Sequence, residues 1–264
     1  MTLAILSALP EEQQGVAAML QNAREIQRAG RCFVQGELLE QEVVLGLTGI
    51  GKVAAATTAT AVIEHFGVER LVFTGVAGGI GPGVQVGDVI VAQQFLQHDM
   101  DVRPLFARWH VPGYAAPSFP CNAQLAQFLH AAAQSCTAQA AGWNEPLLAG
   151  RTPQVHAGLI VSGDQFIVSA AVSQAIYSEL AAAGHEPLAV EMEGAAIAQV
   201  CADYQVAFAA VRTVSDRADD DAHIDFPAFV QAVAARYSQY MVRQLLVFNQ
   251  IGRNVFPALS QTPC

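Results

Sequence analysis

Short apolar runs alternate with longer amphipathic segments along most of the chain. Residues 2–8 form an apolar run typical of a buried strand, and residues 11–22 carry apolar side chains at helical spacing. The same pattern predicts further strands at residues 32–39, 42–47, 70–74, 87–95, 155–161, 187–190 and 206–214. It predicts further helices at residues 52–66, 122–138, 170–183, 194–204 and 226–248.

This order of strands and helices predicts an α/β fold, with a largely parallel sheet covered by helices on both faces. The chain has 264 residues, of which 53% are hydrophobic, and this is enough to bury one large core. We therefore expect a single domain over residues 1–264, although two domains are also compatible with the length.

Two segments depart from the regular pattern. Residues 75–87 contain six glycines and Pro82, which predicts a loop with unusual backbone angles rather than a regular element. Residues 99–120 contain four prolines and predict a long irregular excursion, a kind of segment that is often functional. Ligands of parallel sheets bind beyond the carboxyl ends of strands. This rule makes residues 7–12, 74–83, 162–167, 191–194 and 215–219 the candidate binding segments.

Charge and hydropathy narrow the classes of partner. The formal net charge is −10 and the pI is near 5.0, so the average surface potential repels nucleic acid. Only 14% of the residues are charged and the mean hydropathy is +0.32, which predicts that an oligomer covers part of the surface. The first residues lack the basic start of a signal peptide, and the longest apolar stretch is far shorter than the ~20 residues of a membrane span. A membrane is therefore not an expected partner.

The placement of cysteine and histidine favours neither disulfides nor a metal site. The five cysteines are odd in number, widely spaced and contain no CxxC pair, which predicts free thiols in a reducing cytoplasm. The seven histidines show no recognisable metal-binding spacing. The nearest candidate, His-Asp-Met-Asp at residues 98–101, is more typical of a solvated strand end. We expect no metal and no cofactor.

Two glycine-rich segments resemble nucleotide-binding loops only in part. Residues 46–52 match the first seven positions of a P-loop, but Val53 stands where a Ser or Thr must bind magnesium. Residues 75–83 contain no G-x-G-x-x-G register, and Pro82 obstructs a helix there. A nucleotide hydrolase is an alternative that would require magnesium-dependent ATP turnover.

Six segments together resemble a known family. They are SALPEE at residues 7–12, TGIGK at 48–52, TGVAGG at 74–79, SGDQFI at 162–167, VEMEGAAIA at 190–198 and VRTVSD at 211–216. They are similar to bacterial 5′-methylthioadenosine/S-adenosylhomocysteine nucleosidases of the nucleoside phosphorylase superfamily, in the same order and up to about residue 248. The resemblance implies a three-layer α/β/α domain with a central mixed, mostly parallel sheet. It also implies a homodimer, in which residues 103–114 are the candidate segment that completes the partner's site.

The resemblance implies a hydrolase that cuts the N-glycosidic bond of 5′-methylthioadenosine and S-adenosylhomocysteine and releases adenine, with 5′-deoxyadenosine as a further candidate substrate. Cutting this bond requires a proton for the leaving base and stabilisation of an oxocarbenium-like sugar that water attacks. By resemblance, Asp216 protonates N7, Glu12 activates or orients water, and Glu193 holds the ribose hydroxyls. Asp216 either carries its proton beforehand or shares one only as N7 becomes basic.

Further binding roles follow from the same resemblance. Phe166 corresponds to an aromatic residue that stacks on adenine, and the backbone of Ile167 to a group that reads the base edge. Met192 corresponds to a residue packed beneath the ribose, Arg212 to one that orients the water site, and Phe226 to a wall of the 5′ pocket. The remaining binding candidates are Val76, Ala77, Gly78, Glu191, Ser215 and Ala218.

The sequence departs from many relatives at Val76, where they carry a Ser or Thr. The side chain of Val76 cannot form a hydrogen bond with ribose or water. The backbone N–H groups around Ala77 and Gly78 are the groups that remain for this contact.

Each of these residues also has an ordinary structural interpretation. Asp216 is compatible with a cap, Glu12 with a first-turn helix residue, Phe166 with a core position and Arg212 with a structural ion pair. A nucleoside-binding module without catalysis is therefore an alternative, although it needs no trio of acids.

Within the family, residues 9–12 are acidic where a phosphorylase holds phosphate, which favours water as the acceptor over phosphorolysis. A futalosine-type hydrolase of menaquinone synthesis shares most of the motifs.

Overall fold

The computed structural model describes residues 2–143, 145–148 and 150–255, so that Cys264 and the end of the predicted domain lie outside the described residues. Its strands are β1 (Thr2–Ser7), β2 (Gln21–Arg28), β3 (Arg31–Leu38), β4 (Gln41–Leu47), β5 (Val68–Gly79), β6 (Val89–Gln97), β7 (Ser118–Pro120), β8 (Val155–Ser162), β9 (Pro187–Glu191) and β10 (Ala207–Asp216). Its α-helices are α1 (Pro10–Ala17), α2 (Lys52–Phe66), α3 (Ala123–Ala140), α4 (Ala170–Ala182), α5 (Gly194–Asp203), α6 (Ala222–Phe229) and α7 (Ala235–Val255).

The strands form one mixed sheet in the order β10-β6-β8-β9-β5-β1-β4-β3-β2, with β7 paired to β6. Strand β10 also pairs with β5, so β5, β9, β8, β6 and β10 form a closed ring. The pairings of β1 with β4 and β5, of β5 with β10, of β6 with β8 and of β8 with β9 are parallel. The mixed α/β fold predicted from the sequence is confirmed.

Alternating side chains along the strands separate two cores. In β1, Leu3 and Ile5 pack into the same core as residues of α1, α3 and α7. Their neighbours Ala4 and Leu6 pack into the opposite core with residues of α2 and α5. Because successive strand residues point to opposite faces, this pattern produces three layers with the sheet in the middle.

The predicted helix at residues 11–22 is wrong beyond Ala17. Helix α1 ends there, and Gln21–Arg28 forms strand β2, antiparallel to β3. Seven of the eight residues of β2 are exposed, and Ile26 is the half-buried exception. An edge strand that is exposed on both faces carries no apolar alternation, so the sequence pattern gives no signal for it.

The predicted loop at residues 75–87 is wrong for its first five residues, because β5 continues to Gly79. Gly75 is in register with Arg212, and Gly78 with Asp216 of the neighbouring strand. A Cβ atom on Gly75 would lie 2.2 Å from an Arg212 guanidinium nitrogen, and one on Gly78 would lie 3.0 Å from a carboxylate oxygen of Asp216. These glycines therefore leave space for the charged side chains of the neighbouring strand β10, and they are not turn residues.

Smaller differences lie at other elements. The predicted helix at residues 226–248 begins earlier, as α6, and continues through a π-helical turn at Val230–Ala234 into α7. The predicted irregular segment at 99–120 is confirmed except for the short strand β7. None of the described helices combines the length and the apolar character that crossing a membrane requires. Cys32, Cys121, Cys136 and Cys201 are free thiols.

Candidate active site

A cavity of about 360 Å³ opens where β5, β9 and β10 reach their carboxyl ends. This size is within the range of sites that hold a small organic ligand. Four carboxylic acids are among the lining residues, and the described lining contains no lysine or arginine. We call it the acidic cavity. It is lined by Ala8, Leu9, Glu12, Ile50, Val76, Ala77, Gly78, Phe166, Val190, Glu191, Met192, Glu193, Ser215, Asp216 and Phe226.

The structure brings most of the sequence-predicted site residues to this cavity. The residues outside its lining are Ile167, Ala218 and Arg212. Ile167 and Ala218 line a smaller adjoining recess together with Phe166 and Asp216. Arg212 is fully buried and contacts two of the lining acids.

Sequence reasoning missed four lining residues, which are Ala8, Leu9, Ile50 and Val190. All four lie inside the segments that carry the family resemblance. Their apolar side chains carry no group that would identify them as ligand-binding residues. Only their place within these segments could have indicated that they line the site.

Glu12 is fixed at the start of α1 by backbone donors. Its carboxylate accepts the N–H groups of Ala8 at 2.8 Å, Leu9 at 2.9 Å and Val76 at 3.0 Å. Burial raises the pKa of Glu12 above its ordinary value, although the Arg212 charge and these backbone donors act in the opposite direction. The raised pKa makes Glu12 a stronger proton acceptor than a free glutamate, in a fixed orientation.

Arg212 connects the acids on the interior side of the cavity. Its guanidinium donates to Glu191 and, at 3.4 Å, to Glu193, and it lies 3.7 Å from the centre of the Phe73 ring. A second guanidinium nitrogen donates to the Thr74 carbonyl at 3.3 Å. The ion pair of the structural interpretation is therefore present, and the Arg212 charge also acts on Glu12.

Glu191 and Glu193 organise the start of α5. Glu191 accepts the Gly194 N–H at 2.9 Å and the Ser162 hydroxyl, while Glu193 accepts the Gly51 N–H at 2.9 Å. Burial, followed by repulsion from Glu191, raises the pKa of Glu193 above its ordinary value. Arg212 pairs with Glu191 and Glu193, and its charge also acts on Glu12, so one guanidinium faces three acids and a further positive charge in the cavity is favoured.

Asp216 ends strand β10 with its carboxylate held at both oxygens. Ser215 donates its hydroxyl to one oxygen at 2.8 Å, and the Ala218 N–H donates to the other at 2.8 Å. Asp216 is only 2% exposed, although it lines the cavity. These two contacts fix the orientation of the carboxylate at the edge of the cavity.

An aromatic pair lines the cavity. The rings of Phe166 and Phe226 lie 5.4 Å apart between centroids, in an edge-on arrangement. Phe166 is 42% exposed, which contradicts the core interpretation of this residue and leaves its ring free to contact a ligand. Such a ring provides a stacking surface for a planar base.

The described part of the chain shows no metal-binding arrangement. No group of three or more His, Cys, Asp or Glu side chains among these residues is placed to hold a metal ion. Around the His98-Asp99 segment, Asp99 pairs instead with Lys52.

The fold and the acidic cavity define an α/β protein with a site for a small organic ligand at the carboxyl ends of its strands. A family model described as the phosphorylase superfamily matches residues 2–246. The 5′-methylthioadenosine/S-adenosylhomocysteine nucleosidase of Mycobacterium bovis is 32% identical over 260 residues, which cover 93% of this chain and 97% of the relative. The chain therefore belongs to the 5′-methylthioadenosine/S-adenosylhomocysteine nucleosidase family of the phosphorylase superfamily.

Solved structures of two related enzymes have a similar fold. The nucleosidase of the same description from Neisseria meningitidis, in complex with methylthio-immucillin-A, has a TM-score of 0.81 and 33% identity, and the match covers 93% of this chain and 98% of that chain. The native futalosine hydrolase of Helicobacter pylori has a TM-score of 0.78 and 28% identity, and the match covers 94% of this chain and 98% of that chain.

Proposed function

We propose that this protein hydrolyses the N-glycosidic bond of 5′-methylthioadenosine and S-adenosylhomocysteine and releases adenine. The observation that carries the proposal is the convergence of Glu12, Glu193 and Asp216 on one cavity, although they are far apart in sequence. The 32% identity to a nucleosidase over most of both chains supports the same substrates. A cytoplasmic location stays a prediction.

The geometry supports a division of labour between the acids. Asp216 faces the cavity beside the aromatic pair, where a purine would stack, and it would share a proton with N7 as the bond breaks. Its two contacts, with the Ser215 hydroxyl and the Ala218 N–H, hold the carboxyl group in a fixed orientation for this transfer. Glu12 would take a proton from the attacking water, and the excess negative charge would stabilise the cationic sugar.

The charge of the cavity supports water rather than phosphate as the acceptor. A phosphorylase must hold a phosphate dianion, usually with arginine. The described lining has no basic residue, and Arg212 is already paired with Glu191 and Glu193. Phosphate would therefore enter a site of like charge.

Purified protein incubated with 5′-methylthioadenosine should release adenine at the same rate with and without added phosphate. Chromatography of the products distinguishes the free 5-substituted ribose from its 1-phosphate. Absence of adenine release would refute the proposed activity. A phosphate-dependent rate with a ribose-1-phosphate product would replace hydrolysis by phosphorolysis.

The similarity to a futalosine hydrolase makes futalosine the second candidate substrate. Futalosine and inosine analogues belong in the same assay beside 5′-substituted adenosines. Faster base release from futalosine than from 5′-methylthioadenosine would reassign the substrate while leaving the reaction class unchanged.

We also propose a homodimer that covers exposed apolar side chains near the start of α2 and in the excursion at residues 99–120. Ile50, Val53, Leu105 and Phe106 are 61%, 79%, 81% and 44% exposed. Ile50 lines the cavity, so a partner that covers Ile50 would reach the cavity edge, and residues 103–114 are the segment expected to complete the partner's site. Exposed apolar side chains in such number are typical of a protein interface.

Sedimentation velocity at micromolar concentration should show a dimer of the 27.9 kDa chain. The double substitution Val53→Asp and Leu105→Asp should give a folded monomer, because it places charges in the buried surface. A control substitution at the distant exposed residue Arg24 should leave the dimer intact. A wild-type monomer under these conditions would contradict the proposed interface.

A further inference from the structure

Lys52 is the only lysine in the 264-residue chain, whose other basic side chains, histidine aside, are all arginines. It ends the P-loop-like segment and begins helix α2, and it is not part of the cavity lining. Its ammonium lies 2.5 Å from Asp99, 3.2 Å from the Gln97 side-chain oxygen and 3.8 Å from Asp164. The ammonium donates hydrogen bonds to Asp99 and Gln97 and forms a longer ion pair with Asp164.

These contacts join two segments that the proposed chemistry leaves unused. The backbone N–H of Lys52 donates to Asp164 at 2.8 Å, and the backbone N–H of Asp164 donates to Asp99 at 3.0 Å. The Lys52 ammonium in turn donates to Asp99, so that Lys52, Asp99 and Asp164 each contact the other two. We call these three residues the triangle. The P-loop-like segment and the His98-Asp99 segment therefore meet at a shared contact, although 47 residues separate Lys52 from Asp99.

The triangle lies beside two groups of the acidic cavity. Asp164 is two residues before Phe166, which supplies the candidate stacking surface. Gly51, the residue before Lys52, donates its N–H to Glu193 at 2.9 Å. One cluster thus holds both the candidate base-binding segment and a donor to the candidate ribose-binding acid.

The contact network continues from the triangle into the irregular excursion. Gln97 bonds to Gln199 at 2.9 Å, and Gln199 bonds to the Tyr114 hydroxyl at 3.2 Å. Trp109 donates its indole N–H to the His98 carbonyl at 3.0 Å. Lys52 therefore also connects the cavity to the segment expected at the dimer interface.

We propose that Lys52, with Asp99 and Asp164, is a positioning residue that holds the Phe166 segment and the Gly51 N–H in the geometry that binds an adenine nucleoside. The proposal rests on the proposed function for its ligand. Without the ammonium, Asp99 and Asp164 repel each other, and the attachment of the Phe166 segment to α2 is reduced to the backbone N–H of residue 52. An arginine keeps the charge but replaces a compact ammonium with a planar fork.

Lys52→Met should raise KM for 5′-methylthioadenosine about tenfold, because only part of the molecules then hold the segment in its binding geometry. The kcat should fall less than about threefold, since Glu12 and Asp216 keep their own donors. Lys52→Arg should restore KM to within about threefold of the wild type. Arg24→Met is the matched control, because it removes an exposed positive charge from strand β2 and should leave both constants unchanged.

The single lysine permits a second test on the wild-type protein. Incorporation of backbone-[15N]lysine gives one amide resonance, from the Lys52 N–H that donates to Asp164. Adenine should shift this resonance and slow its hydrogen exchange, and Asp99→Asn should reduce both effects. This measurement requires neither turnover nor a lysine variant that folds.

The outcomes separate the two proposals. If the wild type releases adenine but Lys52→Met has unchanged KM, or loses kcat with unchanged KM, the positioning role is refuted. An amide resonance that does not respond to bound adenine also refutes it. If the wild type releases no adenine from any nucleoside, the proposed function fails first. The lysine triangle is partly exposed, so the thermal midpoint should change by only a few degrees, about what weak ion pairs produce.

Discussion

Asp216→Asn should lower kcat for adenine release at least about 100-fold, while the protein still binds substrate analogues. An asparagine of nearly the same shape keeps the cavity filled, but its amide cannot share a proton with N7 of the leaving base. The contacts that hold the side chain can be retained, since the amide oxygen can accept the Ala218 N–H while the amide NH₂ donates to the Ser215 hydroxyl, which then acts as the acceptor. The loss should therefore fall on kcat rather than on binding.

Single-turnover release of adenine measures the chemical step, and calorimetric titration with a non-hydrolysable nucleoside analogue measures binding. Asp220→Asn is the matched control, because Asp220 is exposed and not among the cavity residues. Turnover of Asp216→Asn within a few-fold of the wild type would remove Asp216 from the acid role. Asp216 would then be interpreted as a residue that caps the end of strand β10 through its contact with the Ala218 N–H.

The elements with strong periodic patterns could be predicted from the sequence. Strand β1 alternates Leu3 and Ile5 with Ala4 and Leu6, and burial on both faces makes it a continuous apolar run. Helix α2 was predicted with the bounds that the structure shows, because Gly51 precedes it and Gly67 ends it in a left-handed conformation. The local sequence is sufficient to predict elements such as β1 and α2, in which the burial and conformation of each residue follow from the residues next to it in the chain.

Strand β2 and the end of β5 could not be predicted for two different reasons. Strand β2 is an exposed edge, and its pairing with β3 is stabilised by backbone bonds that any sequence can make. In β5, positions 75 and 78 have no room for a Cβ atom, because the side chains of Arg212 and Asp216 on the neighbouring strand lie against them. The reason for these glycines lies more than 130 residues away, so local analysis interpreted them as a loop.

The segments that hold the acids of the candidate site could be predicted because they follow strands whose carboxyl ends meet at one edge of the sheet. The acids themselves are named through the family resemblance. The triangle of Lys52, Asp99 and Asp164 could not be predicted. Its members are 47 and 65 residues apart, and neither spacing corresponds to a helix or strand period. Their contact depends on the order of strands in the sheet, which the pattern alone did not determine.

Glu12→Gln should also lower kcat at least about 100-fold, because it removes the base that takes a proton from water. It disturbs the hydrogen bonds as well. The two carboxylate oxygens of Glu12 accept three backbone N–H groups, on both sides of the side chain. A glutamine has one acceptor oxygen, so its NH₂ group must face a donor, and thermal stability should fall too. Glu11→Gln on the same turn is the control, since Glu11 does not line the cavity.

The pH dependence of wild-type kcat/KM provides an independent check on the same residue. Glu12 acts as a base only when ionised, and burial raises its pKa above the ordinary value of a glutamate. As the pH falls, Glu12 is therefore protonated earlier than a free glutamate, and activity should decline at a correspondingly higher pH. The variant should lack this decline in its residual activity. An acid limb that is the same in Glu12→Gln and in the wild type would mean that another group controls it, and that Glu12 orients water rather than deprotonates it.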